Sequence, residues 1–395
     1  MTRYYSLTNV DPKYAFELNP GSPYGYGNNV PNLVANSNDI LYGDRCYYLY
    51  DANPVQCCYE QTPYADPSYC NNFTVAFLAS NKVCDARNFD INLLDPYGIL
   101  IINDVIWVAS AGTGLITSYN LEGGPLCMSI NVFGPGENIA SPTAIVVNTN
   151  VTGFLIMTDS KRRPSTFIIS TRDGTVNGYN ADVQCDTSIV LIDNSANNSV
   201  YTGMTYYNSA IYLADFYNAK IDVYDKDLNK LAYPFIDEYS TDPIPADYAP
   251  FNIVTIIDML YVAYAKQDPR DNQRELHGQG NGYISVFTPK GIFVKRFASR
   301  GPLNAPWGIV LAPSEFGFPA GSIMVSNSGN GSISVFDCEG NCLGNLKDGN
   351  GNEIIIDGIR ALVINPCYRK NVYFSSQSAD NLKVARIGAI YSNLP

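Results

Sequence analysis

Acidic, amide and basic side chains recur at the ends of short apolar segments along this chain of 395 residues. Asp159, Asp215 and Asn327 each end a segment that we interpret as a strand, and Lys266 and Asp268 follow another. Oxygen atoms of Asp and Asn that converge in space are the ligands that Ca²⁺ and Mg²⁺ prefer. The same side chains also cap turns by accepting hydrogen bonds from loop amides, so both interpretations stay open.

Two other patterns, at His277 and at residues 348–359, do not support a catalytic triad or a calcium-binding loop. His277 is the single histidine, and no serine or cysteine nucleophile motif lies near it, so a catalytic triad is not supported. Residues 348–359 begin like a calcium-binding loop, but Glu353 stands where such a loop needs glycine and Ile359 where it needs glutamate. A turn is the better interpretation of this segment.

The elements that position these side chains are clearest in residues 305–337. A first strand begins at Pro306, where the missing N–H costs no ladder hydrogen bond. A second strand covers residues 322–327. Asn330 and Gly331 supply the positive φ angles of a tight turn, and residues 331–337 alternate apolar and polar side chains with a period of two.

Six copies of this unit begin at intervals of 46 to 59 residues, each with three strands and room for a fourth. Their first strands begin at Pro96, Pro142, Tyr201, Pro250, Pro306 and Ile359. The last copy lacks a fourth strand, which residues 73–79 could supply from before the first copy. The sequence therefore predicts an all-β, six-bladed β-propeller of four-stranded blades, whose ring is closed by this N-terminal strand so that no sheet edge is left open.

In a propeller, the loops that leave the second strands and enter the first strands lie at one end of the molecule, here called the channel face. The predicted second strands include residues 154–159 in the second blade. The candidate residues of the channel face are Asp159, Asp215, Lys266, Asp268, Trp307, Asn327 and Arg360. Two basic segments, residues 161–163 and 270–277, are expected on this face in contact with solvent, an anion or a partner.

Several motifs make the chain resemble six-bladed propellers of the NHL and YncE type. They are DPYGI (95–99), YAPFNI (248–253), YVAYAKQD (261–268), GNGYISVF (280–287), RFASRGPLNAPWGIVLAPSEFG (296–317) and GNEIIIDGIRAL (351–362). The proteins with this pattern come mainly from bacteria and from large DNA viruses of amoebae. The resemblance implies the propeller fold but transfers no catalytic residue, and Arg360 stands where that family usually has tryptophan.

Composition restricts the class of partner. Only 16% of residues are charged, 46% are apolar, and 31 glycines and 24 prolines suit many short strands joined by turns. A formal net charge of −12 repels phosphate backbones and anionic headgroups, so nucleic acid is not expected as a partner. No segment approaches the roughly 20 apolar residues of a membrane span, and the first residues show no secretory signal.

Residues 1–72 differ from the propeller domain, residues 73–395. They are rich in Tyr, Asn, Pro and Cys and contain no repeat, so we interpret them as an irregular arm that packs on its own propeller or on a neighbouring subunit. The arm is the expected site of self-association or of contact with a protein partner. The chain has 30 tyrosines, a residue that serves both protein interfaces and glycan stacking.

Ten cysteines leave disulfide bonds, free thiols and a metal site open. The candidate disulfide residues are Cys46, Cys57, Cys58, Cys70, Cys338 and Cys342. The first four crowd into one part of the arm, and we expect at least one disulfide there. The adjacent pair Cys57 and Cys58 matches zinc-ligand spacing poorly.

The leading functional hypothesis is a non-catalytic propeller that acts as a structural or binding module in a virus particle or outside a cell. A cytoplasmic location remains open because no signal peptide is visible. One alternative is a metal-dependent hydrolase, because propeller lactonases bind a metal through carboxylates in this region; Asp159 and Asp215 would then hold Ca²⁺ or Mg²⁺. A second alternative is a glycan-binding propeller. The leading hypothesis requires no cofactor.

Overall fold

The computed structural model describes residues 70, 72–159, 161–239, 241–365, 368–379 and 383–393. The predicted arm therefore lies outside the described residues, apart from Cys70 and Asn72. The described part of the chain is built from β-strands arranged as six sheets and one small hairpin. No helix among these residues is long and apolar enough to cross a membrane.

The strands follow one another blade by blade. Two strands precede the first complete blade, β1 (Phe73–Ser80) and β2 (Asn88–Phe89). Blade 1 contains β3 (Pro96–Ile102), β4 (Val105–Ser110), β5 (Leu115–Asn120) and β6 (Pro125–Asn131). Blade 2 contains β7 (Pro142–Val147), β10 (Phe167–Thr171), β11 (Thr175–Tyr179) and β12 (Ile189–Asp193). A hairpin of β8 (Leu155–Met157) and β9 (Arg162–Pro164) is inserted between β7 and β10.

The remaining blades repeat the pattern. Blade 3 contains β13 (Tyr201–Tyr207), β14 (Ala210–Asp215), β15 (Lys220–Asp225) and β16 (Lys230–Leu231). Blade 4 contains β17 (Tyr248–Ile256), β18 (Met259–Lys266), β19 (Tyr283–Phe287) and β20 (Phe293–Ser299). Blade 5 contains β21 (Pro306–Leu311), β22 (Ile323–Asn327), β23 (Ile333–Phe336) and β24 (Cys342–Asn345). Blade 6 contains β25 (Ile359–Asn365), β26 (Tyr368–Gln377) and β27 (Ala385–Ser392), together with β1 and β2.

The first strand of each blade contacts the first strands of the blades before and after it, so six strands form the inner wall of a ring. Glycine makes this close approach possible. A Cβ atom on Gly98 would lie 2.9 Å from the carbonyl oxygen of Thr143 in the next blade, and one on Gly308 would lie 2.4 Å from that of Arg360. The predicted six-bladed propeller is confirmed.

The N-terminal strand closes the ring, as predicted. β1 pairs antiparallel with β27, from Phe73 opposite Ser392 to Ser80 opposite Arg386. The sequence pattern places this partner strand, the third of the last copy, at residues 382–388, and the structure extends it further toward the C-terminus, to Ser392. The short β2 adds a fifth strand to blade 6 by pairing parallel with the end of β1, which the sequence did not indicate.

The predicted second strand of blade 2 was misplaced. That strand is β10, whereas residues 154–159 belong to the insertion between β7 and β10. Phe154 and Ile156 of this insertion are buried between blade 3 and the rest of blade 2. They therefore give the same apolar pattern as a blade strand. Asn148 closes the insertion by donating from Nδ2 to the carbonyl oxygens of Asn150, Gly153 and Ser165.

Aromatic side chains fill the spaces between neighbouring blades. Trp107 of blade 1 packs on Phe167 of blade 2 with ring centroids 5.1 Å apart, and Phe297 of blade 4 packs on Phe336 of blade 5 at 5.8 Å. Buried tyrosines also satisfy their hydroxyls, as when Tyr201 donates to Asp222 Oδ2 at 3.0 Å. Part of the high tyrosine content therefore serves the core.

Candidate binding face around the channel

The channel face is where the six first strands begin and the second strands end. The side chains near the starts of the first strands are Tyr97, Thr143, Thr202, Phe251, Trp307 and Arg360. Trp307 of blade 5 reaches across to blade 3, where its Nε1 donates to the carbonyl oxygen of Thr202 at 3.1 Å. The rings of Tyr97 and Trp307 meet edge to face at 6.3 Å. Aromatic side chains therefore pack together across the channel.

Arg360 is held by its neighbours at this end of the channel. Its guanidinium lies 3.8 Å from the centre of the Tyr97 ring, and Nη1 donates to Asp95 Oδ1 at 2.7 Å and to the carbonyl oxygen of Pro96 at 3.2 Å. Burial opposes the positive charge, but Tyr97, Asp95 and Glu275 raise the pKa of Arg360 above its usual value. Arg360 thus joins blade 6 to blade 1.

A second cation, Arg172, lies beside the same tyrosine. Its Nη1 donates to the Tyr97 hydroxyl at 3.1 Å, and its Nη2 donates to the carbonyl oxygen of Gln273 at 3.1 Å. Glu275, from the same long loop of blade 4, has a lowered pKa: burial would raise it, but the hydrogen bond from His277 and the charge of Arg360 outweigh burial. The predicted basic segment 270–277 therefore does lie on the channel face.

Asp215 and Asn327 are buried and committed to turns. Asp215 Oδ1 accepts hydrogen bonds from the backbone N–H of Val200 at 3.1 Å, and Oδ2 accepts one from Asn218 Nδ2 at 2.9 Å. Asn327 Oδ1 accepts from the backbone N–H of Asn304, while Nδ2 donates to Ser334 Oγ at 3.0 Å. Both side chains fit the turn-capping interpretation.

Asp268 and Lys266 each have an oppositely charged neighbour. Arg270 Nε donates to both carboxylate oxygens of Asp268, at 2.9 and 3.0 Å, and these hydrogen bonds lower the pKa of Asp268 to about 2. Lys266 Nζ lies 3.1 Å from Asp247 Oδ2, and this contact raises the pKa of the lysine. Lys266 remains about one-third exposed, so it is accessible from solvent.

Asp159 lies away from the other candidate residues. It belongs to the connection between the first and second strands of blade 2, which is at the end of the blade opposite the channel face. The exposed basic residues 161–163 lie in the same connection, so the structure does not bring them to the channel face. Asp159 and Asp215 therefore do not converge, and no group of three or more His, Cys, Asp or Glu side chains suited to a metal ion occurs within the described ranges.

Blade 4 contains a polar cleft that the sequence analysis did not predict. Tyr248 begins β17, Lys266 ends β18, Tyr283 begins β19 and Arg300 follows β20, so antiparallel order brings all four to the channel face. Only Lys266 was a predicted candidate. The polar character of each strand end was readable from the sequence, but the convergence of four ends depends on the blade's pairing register.

The cysteine predictions are only partly covered by the structure. Cys70 and Cys342 are thiols, Cys70 buried and Cys342 exposed, and no disulfide is present among the described residues. Burial and the nearby Cys342 raise the pKa of Cys70 to about 11. Cys338 lies in the turn between β23 and β24, where its carbonyl oxygen accepts a hydrogen bond from Lys295 Nζ at 2.8 Å. Cys46, Cys57 and Cys58 lie outside the described residues, so the expected disulfides are not confirmed.

The strand order and the packed channel define a six-bladed β-propeller. By sequence, the chain belongs to a family that includes the uncharacterized proteins R648 and L690 of Acanthamoeba polyphaga mimivirus. R648 is 35% identical over 377 residues, which cover 92% of this chain and 94% of R648. L690 is 39% identical over 319 residues, which cover 80% of this chain and 85% of L690.

A third mimivirus relative is longer. The uncharacterized protein R640 is 43% identical over 308 residues, which are 78% of this chain but only 57% of R640. No protein-family model matches the chain. The predicted NHL and YncE family identity is therefore not confirmed.

Solved structures confirm the architecture alone. The structure of a streptogramin B lyase matches with a TM-score of 0.50 at 12% identity, covering 82% of this chain and 98% of the lyase. A structural genomics protein of unknown function from Bacteroides thetaiotaomicron matches with a TM-score of 0.52 at 10% identity, covering 80% of this chain and 76% of that protein. Identities this low carry the fold and no activity.

Proposed function

We propose that this protein is a non-catalytic propeller that acts as a binding or structural module. The observation that carries the proposal is the commitment of Asp215 and Asn327, both fully buried, to the turns of their own blades. A carboxylate that binds a metal or acts on a substrate must present free lone pairs to that partner. Asp268 is engaged by Arg270 in a similar way.

The competing proposal, a metal-dependent lactonase or hydrolase, would need Asp159 and Asp215 to share Ca²⁺ or Mg²⁺. Their separation at opposite ends of neighbouring blades argues against a shared ion. The proposal of a module without a cofactor is therefore the better supported of the two.

Replacing Asp215 with alanine tests both proposals. The variant removes the side-chain acceptor of the buried Val200 N–H and one of the two acceptors of Asn218 Nδ2, so the free energy of unfolding should fall by roughly 1–3 kcal/mol. The exposed Asp159→Ala should change it by less than about 0.5 kcal/mol. Urea unfolding measures both values.

The module proposal also predicts that the wild-type protein shows no turnover of lactones or phosphate esters. Turnover that is abolished both by EDTA and by Asp215→Ala would overturn the module proposal.

The proposed location is a virus particle or the extracellular space. It is supported by relatives that are 35% to 43% identical and are encoded by a virus. Mass spectrometry of particles purified from a culture that produces this protein tests the location. Its absence from those particles and from the medium would contradict the proposal.

The arm is proposed to mediate self-association or contact with a protein partner. It meets the propeller at Cys70, whose buried side chain lies beside Gly344 of blade 5 and whose carbonyl oxygen accepts from the N–H of Lys347 at 2.7 Å. An irregular segment must offset an ordering cost of about 1–2 kcal/mol per residue through cross-links or contacts. Two further measurements follow from this requirement.

We expect at least one disulfide among Cys46, Cys57, Cys58 and Cys70, detected by mass spectrometry of non-reduced peptides. We also expect residues 73–395 to have a smaller assembly state than the full chain in analytical ultracentrifugation. This truncation keeps β1 and thus leaves the ring closed. Four free thiols together with an unchanged assembly state would contradict the proposed role of the arm.

A further inference from the structure

The cleft in blade 4 has the size and position of a ligand site. Its volume is about 400 Å³, toward the lower end of the roughly 300–1,000 Å³ typical of small-molecule sites. It is bounded by the loop that enters β17, the loop between β18 and β19, and the residues that follow β20. All three segments lie at the channel face, so the cleft opens at that end of blade 4.

The charges that surround the cleft balance one another. Lys266 Nζ lies 3.1 Å from Asp247 Oδ2, and Arg300 Nη2 lies 3.1 Å from Asp242 Oδ1. A free anion entering the cleft would meet Asp247, and a free cation would meet Lys266 and Arg300. The arrangement therefore favours an uncharged ligand whose groups can both donate and accept hydrogen bonds.

The wall between these charges is aromatic and rigid. Tyr248 and Tyr283 meet edge to face with ring centroids 5.0 Å apart. The Tyr248 hydroxyl donates to Asn281 Oδ1 at 3.1 Å, and the Tyr283 hydroxyl accepts from Arg300 Nε at 2.8 Å. Tyr283 is buried, whereas Tyr248 is half-buried and has surface available to a ligand. Fixed tyrosines beside amide and charged groups match the apolar faces and hydroxyl edges of a sugar ring.

We propose that this cleft binds a neutral sugar residue, with Asp247 and Lys266 bonding its hydroxyls and Tyr248 packing on its ring. The inference rests on the proposed binding-module function and names a ligand class for it. Hydroxyl groups suit the site because each one can donate to the carboxylate of Asp247 while it accepts from the ammonium of Lys266.

The test uses the full-length protein and the methyl glycosides of glucose, galactose, mannose and N-acetylglucosamine. Saturation-transfer NMR detects binding, and isothermal titration calorimetry gives the affinity. At least one glycoside should bind, and Lys266→Met and Asp247→Ala should each weaken it at least ~10-fold, as expected when a charged hydrogen-bonding partner is lost. Lys290→Met is the matched control because Lys290 is exposed in the turn between β19 and β20, at the opposite end of the same blade.

Three other outcomes would contradict the proposed site, its ligand class or the non-catalytic function. Binding of none of the four glycosides, or binding that Lys266→Met and Asp247→Ala leave unchanged, overturns the proposed site. Binding of glucuronate or acetate in preference to the neutral glycosides overturns the ligand class. The same NMR spectra show whether the glycoside is cleaved, which would overturn the non-catalytic function while leaving the binding site standing. Thermal unfolding of each variant confirms that it is folded.

Discussion

Replacing Arg296 with methionine will lower the free energy of unfolding by about 3–5 kcal/mol, the usual cost of breaking a buried ion pair. The side chains of Arg296 and Asp237 are only 3% and 7% exposed. Arg296 Nη2 donates to Asp237 Oδ1 at 2.7 Å, and Nη1 donates to the carbonyl oxygen of Asp242 at 3.0 Å. The guanidinium also lies 5.0 Å from the ring centre of Tyr283. The substitution leaves Asp237 charged, buried and without its main partner.

Two variants separate this effect from a general loss of charge. Arg300→Met removes a second cation that contacts Asp242 and Tyr283, but Arg300 is 57% exposed, so the cost should be about 1 kcal/mol or less. Adding Asp237→Asn to Arg296→Met should recover part of the loss because no uncompensated carboxylate remains buried. Urea unfolding of the three variants measures these differences. A cost for Arg296→Met no larger than that for Arg300→Met would show that the buried pair contributes little.

The ring of blades was predictable because its signals are local and repeated. Strands of period two and the turns between them recur along the copies, and five of the six first strands begin with a proline or an aromatic residue, as at Pro306. Closure of the ring was predictable for a different reason. The last copy lacks a fourth strand, and the strand that begins at Phe73 precedes the first copy, so this strand can pair with the open edge of β27.

The sequence misled where an insertion imitates a blade strand. Phe154 and Ile156 are apolar residues that are buried within the insertion. An apolar pattern indicates burial, but it does not reveal which sheet the residues join. Asp159 was assigned to the channel face for this reason. The error did not change the predicted fold, because the true second strand, β10, follows a few residues later and keeps the number of strands in the blade the same.

Side-chain partnerships of the channel face could not be predicted residue by residue. Arg360 was recognised as a candidate, but its carboxylate partner Asp95 is 265 positions away and comes into reach only when the ring closes. Asp215 was assigned correctly to the end of a second strand, yet burial and neighbouring N–H groups decide that it caps a turn. Position along a blade is a local property, whereas availability to a ligand is a property of the packed structure.

Phe73→Ala will also lower the free energy of unfolding by about 3–5 kcal/mol, the usual cost of truncating a buried phenylalanine. Phe73 is 1% exposed at the start of β1, and its ring lies 5.2 Å from that of Phe316 and 5.7 Å from that of Phe318, both in blade 5. Phe89→Ala is the matched control, since Phe89 in β2 is 47% exposed and its loss should cost less than about 0.5 kcal/mol.

The size of the Phe73 effect depends on what β1 does for the ring. β1 pairs with β27 along its whole length, so detachment of β1 leaves the edge of blade 6 open and separates the two ends of the propeller. We therefore expect amide hydrogen exchange in β27 to accelerate in Phe73→Ala more than in the inner strand of blade 3, and deletion of residues 1–80 to lower stability further. If Phe73→Ala unfolded at the same urea concentration as Phe89→Ala, and β27 exchanged as in the wild-type protein, β1 would be an accessory strand and the ring would be stable without it.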